Sequence, residues 1–315
     1  MIEFTTDEID PADRFEHWRE VRSKSLFGVT IDLAAEHRAS FEGAFRARRI
    51  GNAVTSEMIA TSYKVSRTST DIARVAGDSL CIAMQVKGPG TLDPGRDRAG
   101  AVNEGDMTIS HSDLPYAATP DSHGRFQYRM IKVPFEDELM LGKSIEDLFA
   151  TTFRADDEIA RPFRALFNAV TENRNPLARP DQAITSITRL AMLARGKLAP
   201  GLPEVRAALR TGLLYSAFEI MARDKHHRRL TPALVARELG ISLRQIHVVF
   251  ENAEMSFSRS LTDMRIEEAR RLLLEAPDLP VTQIAYTSGF ESLATFYRAF
   301  TRRYGMTPKE LRYGS

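Results

Sequence analysis

The spacing of hydrophobic positions changes character twice along this chain. Ile9, Phe15, Trp18, Val21 and Leu26 recur at near-helical intervals after Asp10-Pro11, which predicts an opening helix within 7–26 with proline in its first turn. From Phe41 to about Val133 the pattern becomes short runs rich in β-branched and aromatic residues. The runs are separated by Gly51-Asn52, Gly77-Asp78, Gly88-Pro89-Gly90, Asp93-Pro94-Gly95, Glu104-Gly105-Asp106 and Ser122-His123-Gly124. Turns at such spacing predict a sandwich or barrel. Leu80, Ile82, Met84 and Val86 alternate with Cys81, Ala83 and Gln85, and Phe126, Tyr128, Met130 and Ile131 form a further strand ending at Val133-Pro134.

After Pro134 the spacing turns helical, through Phe135, Leu139, Met140 and Ile145, and helices are expected from there to the end. Two striped helices, around 157–172 and 181–196, are joined by the polar stretch Glu172-Asn173-Arg174-Asn175-Pro176 and predict a helical hairpin. Leu198-Ala199-Pro200-Gly201-Leu202-Pro203 reads as the domain boundary. The expected domains are residues 1–155, a hairpin with linker over 156–202, and 203–315.

The most specific signal begins at Thr231. Thr231 caps a helix with Pro232 at its first position, Val235 and Leu239 face a core, small Ala236 admits a second helix, and Gly240 takes a left-handed turn. Ser242 then caps a helix that buries Ile246, Val249 and Phe250 and shows Arg244, Gln245, His247 and Val248 on its other side. The same unit recurs over 281–300, with Ala285 and Gly289 in the parts of Ala236 and Gly240. Ser292, Phe296 and Phe300 follow. A repeated helix-turn-helix is far more specific than a single one. Between the units, Phe257 to Glu275 predicts a helix about 28 Å long, comparable with the roughly 34 Å turn of duplex DNA.

Charge adds to this picture. Residues 201–315 hold 17 basic and 13 acidic residues, against 26 and 29 in residues 1–200, so the carboxy-terminal third is the better partner for a polyanion. Lone Cys81 excludes an internal disulfide, no run approaches a membrane span, and the acidic start Met1–Glu8 has no secretory pattern. A cytoplasmic chain that begins as written is expected. No Gly-rich phosphate loop, nucleophile elbow or His-x-His occurs, and adjacent His226 and His227 point apart, so no metal, cofactor or catalytic residue is expected.

Residues 207–312 resemble the double helix-turn-helix domain of the AraC/XylS family of transcriptional regulators. The markers are Arg265, Ala269, Leu272-Leu273, Ile284-Ala285, Gly289-Phe290-Glu291-Ser292, Phe296, Arg298, Phe300 and the ending Tyr304 to Arg312. More loosely, Glu104 to Ile109, Asp113-Leu114-Pro115-Tyr116 and the strand ending at Pro134 resemble the family's barrel-type sensor domain. The resemblance implies an α+β chain: a cupin-like β-barrel sensor with a helical dimerisation hairpin, then an all-α double helix-turn-helix.

By the same resemblance, bases are read by Arg244, His247 and Val248 in the first unit and by Ala294, Thr295, Tyr297 and Arg298 in the second, with Gln245 beside them. Ser242, Ser292, Arg265, Arg302, Arg303 and Thr307 are expected at phosphates. Tyr297 has packing as its equal alternative. The implied partners are promoter DNA, RNA polymerase, a second copy of the chain and a small-molecule effector in the barrel. The effector's candidate contacts, from strand alternation, are Tyr63, Met84, His111, Tyr116 and Tyr128, each of which also suits a core. Two rivals stay open: a barrel that only dimerises, and a cupin-type barrel enzyme. The expected activity is transcriptional activation.

Overall fold

The computed structural model describes residues 1–22, 28–95, 97–121, 124–154, 159–172, 179–251 and 253–314. Contacts divide the chain into two compact units, Met1–Gly212 and Leu213–Ser315. Leu26, Ser122-His123 and Asn173 to Pro176, invoked above for a helix and two connections, lie outside the described residues.

The first unit opens with β1 (Ile2–Thr5), α1 (Arg14–Glu20), β2 (Thr30–Asp32), α2 (Ala35–Arg38), β3 (Gly43–Ile50), β4 (Ala53–Thr61), β5 (Lys64–Arg67) and α3 (Ser69–Arg74). It continues through β6 (Ser79–Lys87), β7 (Gly90–Asp93), β8 (Gly100–Val102), β9 (Met107–His111), β10 (Tyr116–Pro120), β11 (Arg125–Pro134) and β12 (Thr151–Phe153). Helices α4 (Ala160–Thr171) and α5 (Pro180–Ala194) follow, and α6 (Pro203–Asp224) carries the chain across the division. All strand pairs are antiparallel. They form a seven-stranded sheet ordered β1-β3-β4-β11-β6-β9-β12 and a five-stranded sheet ordered β2-β5-β10-β7-β8. The barrel of the sequence reading is therefore two open sheets.

The pleat assigns each strand's side chains to two faces. On β6 and β11 the registers Lys132–Cys81, Met130–Ala83 and Tyr128–Gln85 set one rank of side chains inward, toward a cavity. Leu80, Ile82 and Ile131, all fully buried, belong to the other face. Helices α4 and α5 pack on the seven-stranded sheet, through β3, β4 and β11. Arg48 Nη2 donates to the Val170 carbonyl (2.9 Å) and Arg195 Nη1 to those of Ile109 and Phe149 (2.7 and 2.8 Å). The expected hairpin helices are thus the outer layer of the sensor fold.

Two expectations need correction. The amino terminus enters the sheet as β1 before any helix, and the opening helix starts only at Arg14 with α1, anchored by buried Phe15 and Trp18. Asp10 accepts from the Ala12 N–H at 2.9 Å, which holds a turn ahead of the helix. The helix expected from Phe135 is also absent. Leu141 and Gly142 take positive φ (53° and 67°), which ends any helical run, and the chain returns as β12 to pair with β9.

Asp113 ties the β5, β6 and β9 ends together. Its carboxylate accepts from the backbone N–H groups of Gly77 and Asp78, from Ser112 Oγ, and from Arg67 Nη2 at 3.1 Å. Arg67 in turn donates to the carbonyls of Ser112, Gly28 and Val75. Burial raises the Asp113 pKa, but the N–H groups of Asp78 and Gly77, with Ser112 and Arg67, outweigh it and hold the group below the ordinary carboxylate value. Its stabilisation is complete above the unfolded pKa of about 3.9 and is lost as pH falls through the lower folded value. Asp113→Asn is expected to cost about 1–3 kcal/mol at neutral pH. Urea denaturation should show the gap to the unmodified chain closing on acidification; a gap independent of pH would contradict the linkage.

Candidate functional site

The second unit holds two hydrophobic cores. The first gathers α6, α7 (Pro232–Glu238) and α8 (Leu243–Glu251), and the second gathers α10 (Val281–Thr287), α11 (Leu293–Tyr304) and, through Leu311, α12 (Pro308–Tyr313). Between them runs α9 (Phe257–Glu275), nineteen residues and about 28 Å long. Phe257 and Leu261 enter the first core, and Ile266, Ala269 and Leu273 enter the second. At 3.6 residues per turn these two sets point about 130° apart. One helix therefore serves two cores on different faces, and Arg265 lies where the faces exchange.

Arg265 is half-buried and its fork is occupied. Nε donates to the Lys225 carbonyl and Nη2 to the His227 carbonyl, each at 2.8 Å, just beyond the end of α6. Burial lowers its pKa, with Glu291 acting the other way. Gly289, at φ 92°, sits against the same contact, and a side chain there would overlap the Lys225 carbonyl oxygen and stand 2.8 Å from Arg265 Nε. His226 Nδ1 is 2.9 Å from the Thr287 carbonyl oxygen, and the Arg228 guanidinium lies 4.8 Å from the centre of the Tyr286 ring. The segment 225–228 is thus the joint between the two helix-turn-helix units. Two backbone carbonyls hold the Arg265 guanidinium through Nε and Nη2.

Both recognition helices are capped as the sequence requires. Ser242 Oγ accepts from the Gln245 N–H at 3.1 Å, and Gln245 Oε1 accepts from the Ser242 N–H at 2.8 Å, so Gln245 is engaged in its own helix start. Ser292 Oγ accepts from the Thr295 N–H at 3.2 Å and donates to Thr295 Oγ1 at 3.3 Å. Arg244 and His247 on α8 and Ala294, Thr295, Arg298 and Arg302 on α11 are exposed. Val248 is half-buried. Tyr297 is half-buried too, its ring edge-on to Phe296 with centroids 5.6 Å apart. Arg303 pairs with Glu267 at 3.5 Å, and Thr307 caps α12 with Glu310.

Between the sheets of the first unit lies a cavity of about 190 Å³. Tyr63, His111, Tyr116 and Tyr128 line it as the alternation predicts. Met84 does not, because the pleat sets it on the face of Leu80 and Ile82. Reading that strand's parity the other way, from Cys81 and Ala83, finds the wall. Continuing Tyr128 and Met130 by two residues reaches Lys132, a lining residue that the sequence reading passed over, as it did Arg22 and Arg67. Burial raises the Cys81 thiol to about 11, which leaves it protonated and quiet. Among the described residues no group of three His, Cys, Asp or Glu is placed to hold a metal, and no helix is long and apolar enough to cross a membrane.

A paired-sheet chamber followed by two linked helix-turn-helix units defines a DNA-binding regulator with a ligand-binding domain. The family descriptions that match are "AraC-like ligand binding domain" over residues 69–185 and "Helix-turn-helix domain" over 235–313. The transcriptional activator NphR of a Rhodococcus species is 24% identical over 315 residues, covering 98% of this chain and 91% of its own. The HTH-type transcriptional regulator GlxA of Rhizobium meliloti (strain 1021) is 38% identical over 86 residues, 27% of this chain and 26% of its own. The crystal structure of the AraC-like transcriptional activator CuxR matches in fold, with a TM-score of 0.52 and 16% identity over 85% of this chain and 95% of its own. The chain belongs to the AraC family of transcriptional regulators.

The two turn glycines carry different demands. Gly240, at φ 68°, faces open space, whereas Gly289 faces the α6 end and Arg265. Gly240→Ala is expected to cost about 1–2 kcal/mol, the strain of a left-handed residue. Gly289→Ala should cost clearly more, because backbone must move as well. Urea denaturation of the full chain, followed by helical circular dichroism, compares them, and equal costs would refute the close approach.

Proposed function

We propose that this regulator activates transcription from promoters that carry two adjacent major-groove half-sites, under control of a small molecule bound between the sensor sheets. One observation carries the DNA half of this reading. Arg244 and Arg298 stand exposed on the two recognition helices, which a single 19-residue helix and the Arg265 joint connect. Arginine donates in bidentate fashion to guanine, worth about 1–3 kcal/mol of discrimination. His247 adds a polar contact, while Val248 and Ala294 suit a thymine methyl. Tyr297 serves chiefly as packing. The capping serines Ser242 and Ser292, with Thr295 and Arg302, suit phosphates, because helix amino termini and hydroxyls approach the backbone together. Gln245, as a cap, acts through its helix.

Activation is supported by the relatives, of which NphR carries that description. It calls for contact with RNA polymerase. The α4–α5 pair suits dimerisation, which would double the half-sites read. A cytoplasmic setting follows from the work of reading promoters. An effector that bound every arrangement of the regulator equally would change nothing, so control requires a cavity ligand that favours the activating arrangement.

Selection of bound fragments from a random duplex pool tests the reading, with salt dependence recorded alongside. Half-sites about 10 base pairs apart are expected. Arg244→Ala and Arg298→Ala should each weaken specific binding by about 1–3 kcal/mol and relax preference within one half-site only. Operator affinity unaltered in both variants would overturn the assignment.

A further inference from the structure

Among the described residues, the cavity in the first unit is rich in hydrogen-bond donors and lined by no carboxylate: its lining includes Arg22, Arg67 and Lys132 and not one Asp or Glu. Arg67 is already neutralised by Asp113. Arg22 is buried, and no ion pair to Lys132 is found among the described residues. The Lys132 ammonium lies against Gly77, where an added Cβ would stand 2.6 Å from Nζ.

The tyrosines point the same way. Tyr63 is 5% exposed, and among the described residues its hydroxyl meets only the Met58 sulfur, at 3.2 Å. The Tyr128 hydroxyl likewise meets, among the described residues, only the Met130 sulfur, at 3.3 Å. A thioether is a weak acceptor, so both O–H groups are left short of a partner that a buried donor needs. Burial raises the phenol pKa of Tyr116 and lifts that of Tyr128 well above the ordinary value, so both remain donors. Elsewhere the wall is apolar, through Met58, Val65, Leu92 and Phe126.

We infer that the effector is a small organic monocarboxylate, its acid group held by Lys132 and the tyrosine hydroxyls and its apolar body, of about one ring, lying between the sheets. The carboxylate supplies acceptors, which the tyrosine hydroxyls lack, and a charge that the Lys132 ammonium offsets. The volume agrees, since a dry cavity of about 150 Å³ admits benzene. This inference rests on the effector reading above and adds the ligand's class.

The test uses the full-length protein and its single tryptophan, Trp18, whose ring centroid is 6.5 Å from that of Tyr63. Trp18 emission is titrated with phenylacetate, with neutral phenylacetamide and with cationic phenethylamine. Phenylacetate should bind at least about tenfold more tightly than the amide, the worth of one charge-assisted hydrogen bond, and the amine should not bind. Lys132→Met should remove the preference for acid while amide binding persists, which also shows that the variant is folded. Lys132→Arg should keep the preference. Amide binding as tight as acid binding, or an acid preference that survives Lys132→Met, overturns the carboxylate assignment and leaves the effector reading standing. No response to any of the three, in emission or in operator affinity, overturns both.

Discussion

One guanidinium governs the geometry on which DNA reading depends. Helix α9 buries Phe257 and Leu261 in one core and Ile266, Ala269 and Leu273 in another, on faces about 130° apart. Such a rod by itself joins two small domains without fixing their angle. Arg265, at the exchange of faces, donates to the carbonyls of Lys225 and His227 and so binds the end of α6 to the rod. Gly289 brings the second turn against the same point, and His226 and Arg228 reach α10 from the other side. A left-handed glycine, two carbonyls at the end of a helix and a planar fork of donors meet in one place. Arginine suits this because its planar fork holds two acceptors in fixed directions, whereas a lysine offers one rotatable ammonium.

The sensor unit follows a different logic, that of the pleat. The strands β6, β9 and β11 present one face to the cavity and the other to a buried apolar layer, so neighbouring residues have opposite tasks. Leu80 and Ile82 make core while Cys81 and Ala83 make cavity wall. The wall's donors are also dealt with unequally: Arg67 is tied down by Asp113 and three carbonyls, whereas Lys132 is left facing the chamber. The first is part of the frame, and the second is available to a ligand. A ligand that takes up such a charge changes the electrostatics between the sheets, and this provides the differential interaction that control requires.

The legibility of the sequence follows from how local each signal is. Thr231-Pro232, Gly240, Ser242 and their counterparts at 281–300 are short-range cap and turn chemistry, and the structure places helix ends at those residues. The exposed faces of α8 and α11 follow from helical periodicity. Arg265 was visible as a marker, but its task depends on carbonyls some forty residues away in sequence, which no periodic pattern reports. The two sheets were legible as strands and turns, though not as an open pair, because pairing order is a long-range property. Met84 shows the limit of alternation: the pattern divides a strand into two faces without saying which one meets a cavity, and with helices covering the outside both faces read as apolar. The segment after Pro134 failed for a local reason, since its apolar spacing suits a helix while Leu141 and Gly142 adopt left-handed backbone.

The central claim, that the Arg265 joint fixes the separation of the two recognition helices, is open to direct measurement. Spin labels at Glu251→Cys on α8 and Thr301→Cys on α11, both exposed, in a Cys81→Ser background of the full chain, report that separation by pulsed dipolar spectroscopy. A narrow distance distribution is expected with Arg265 present, and a broad one in Arg265→Ala with both cores still folded by circular dichroism. A distribution equally narrow in both would mean that packing along α9 alone sets the geometry, and the account given for Arg265 would be wrong.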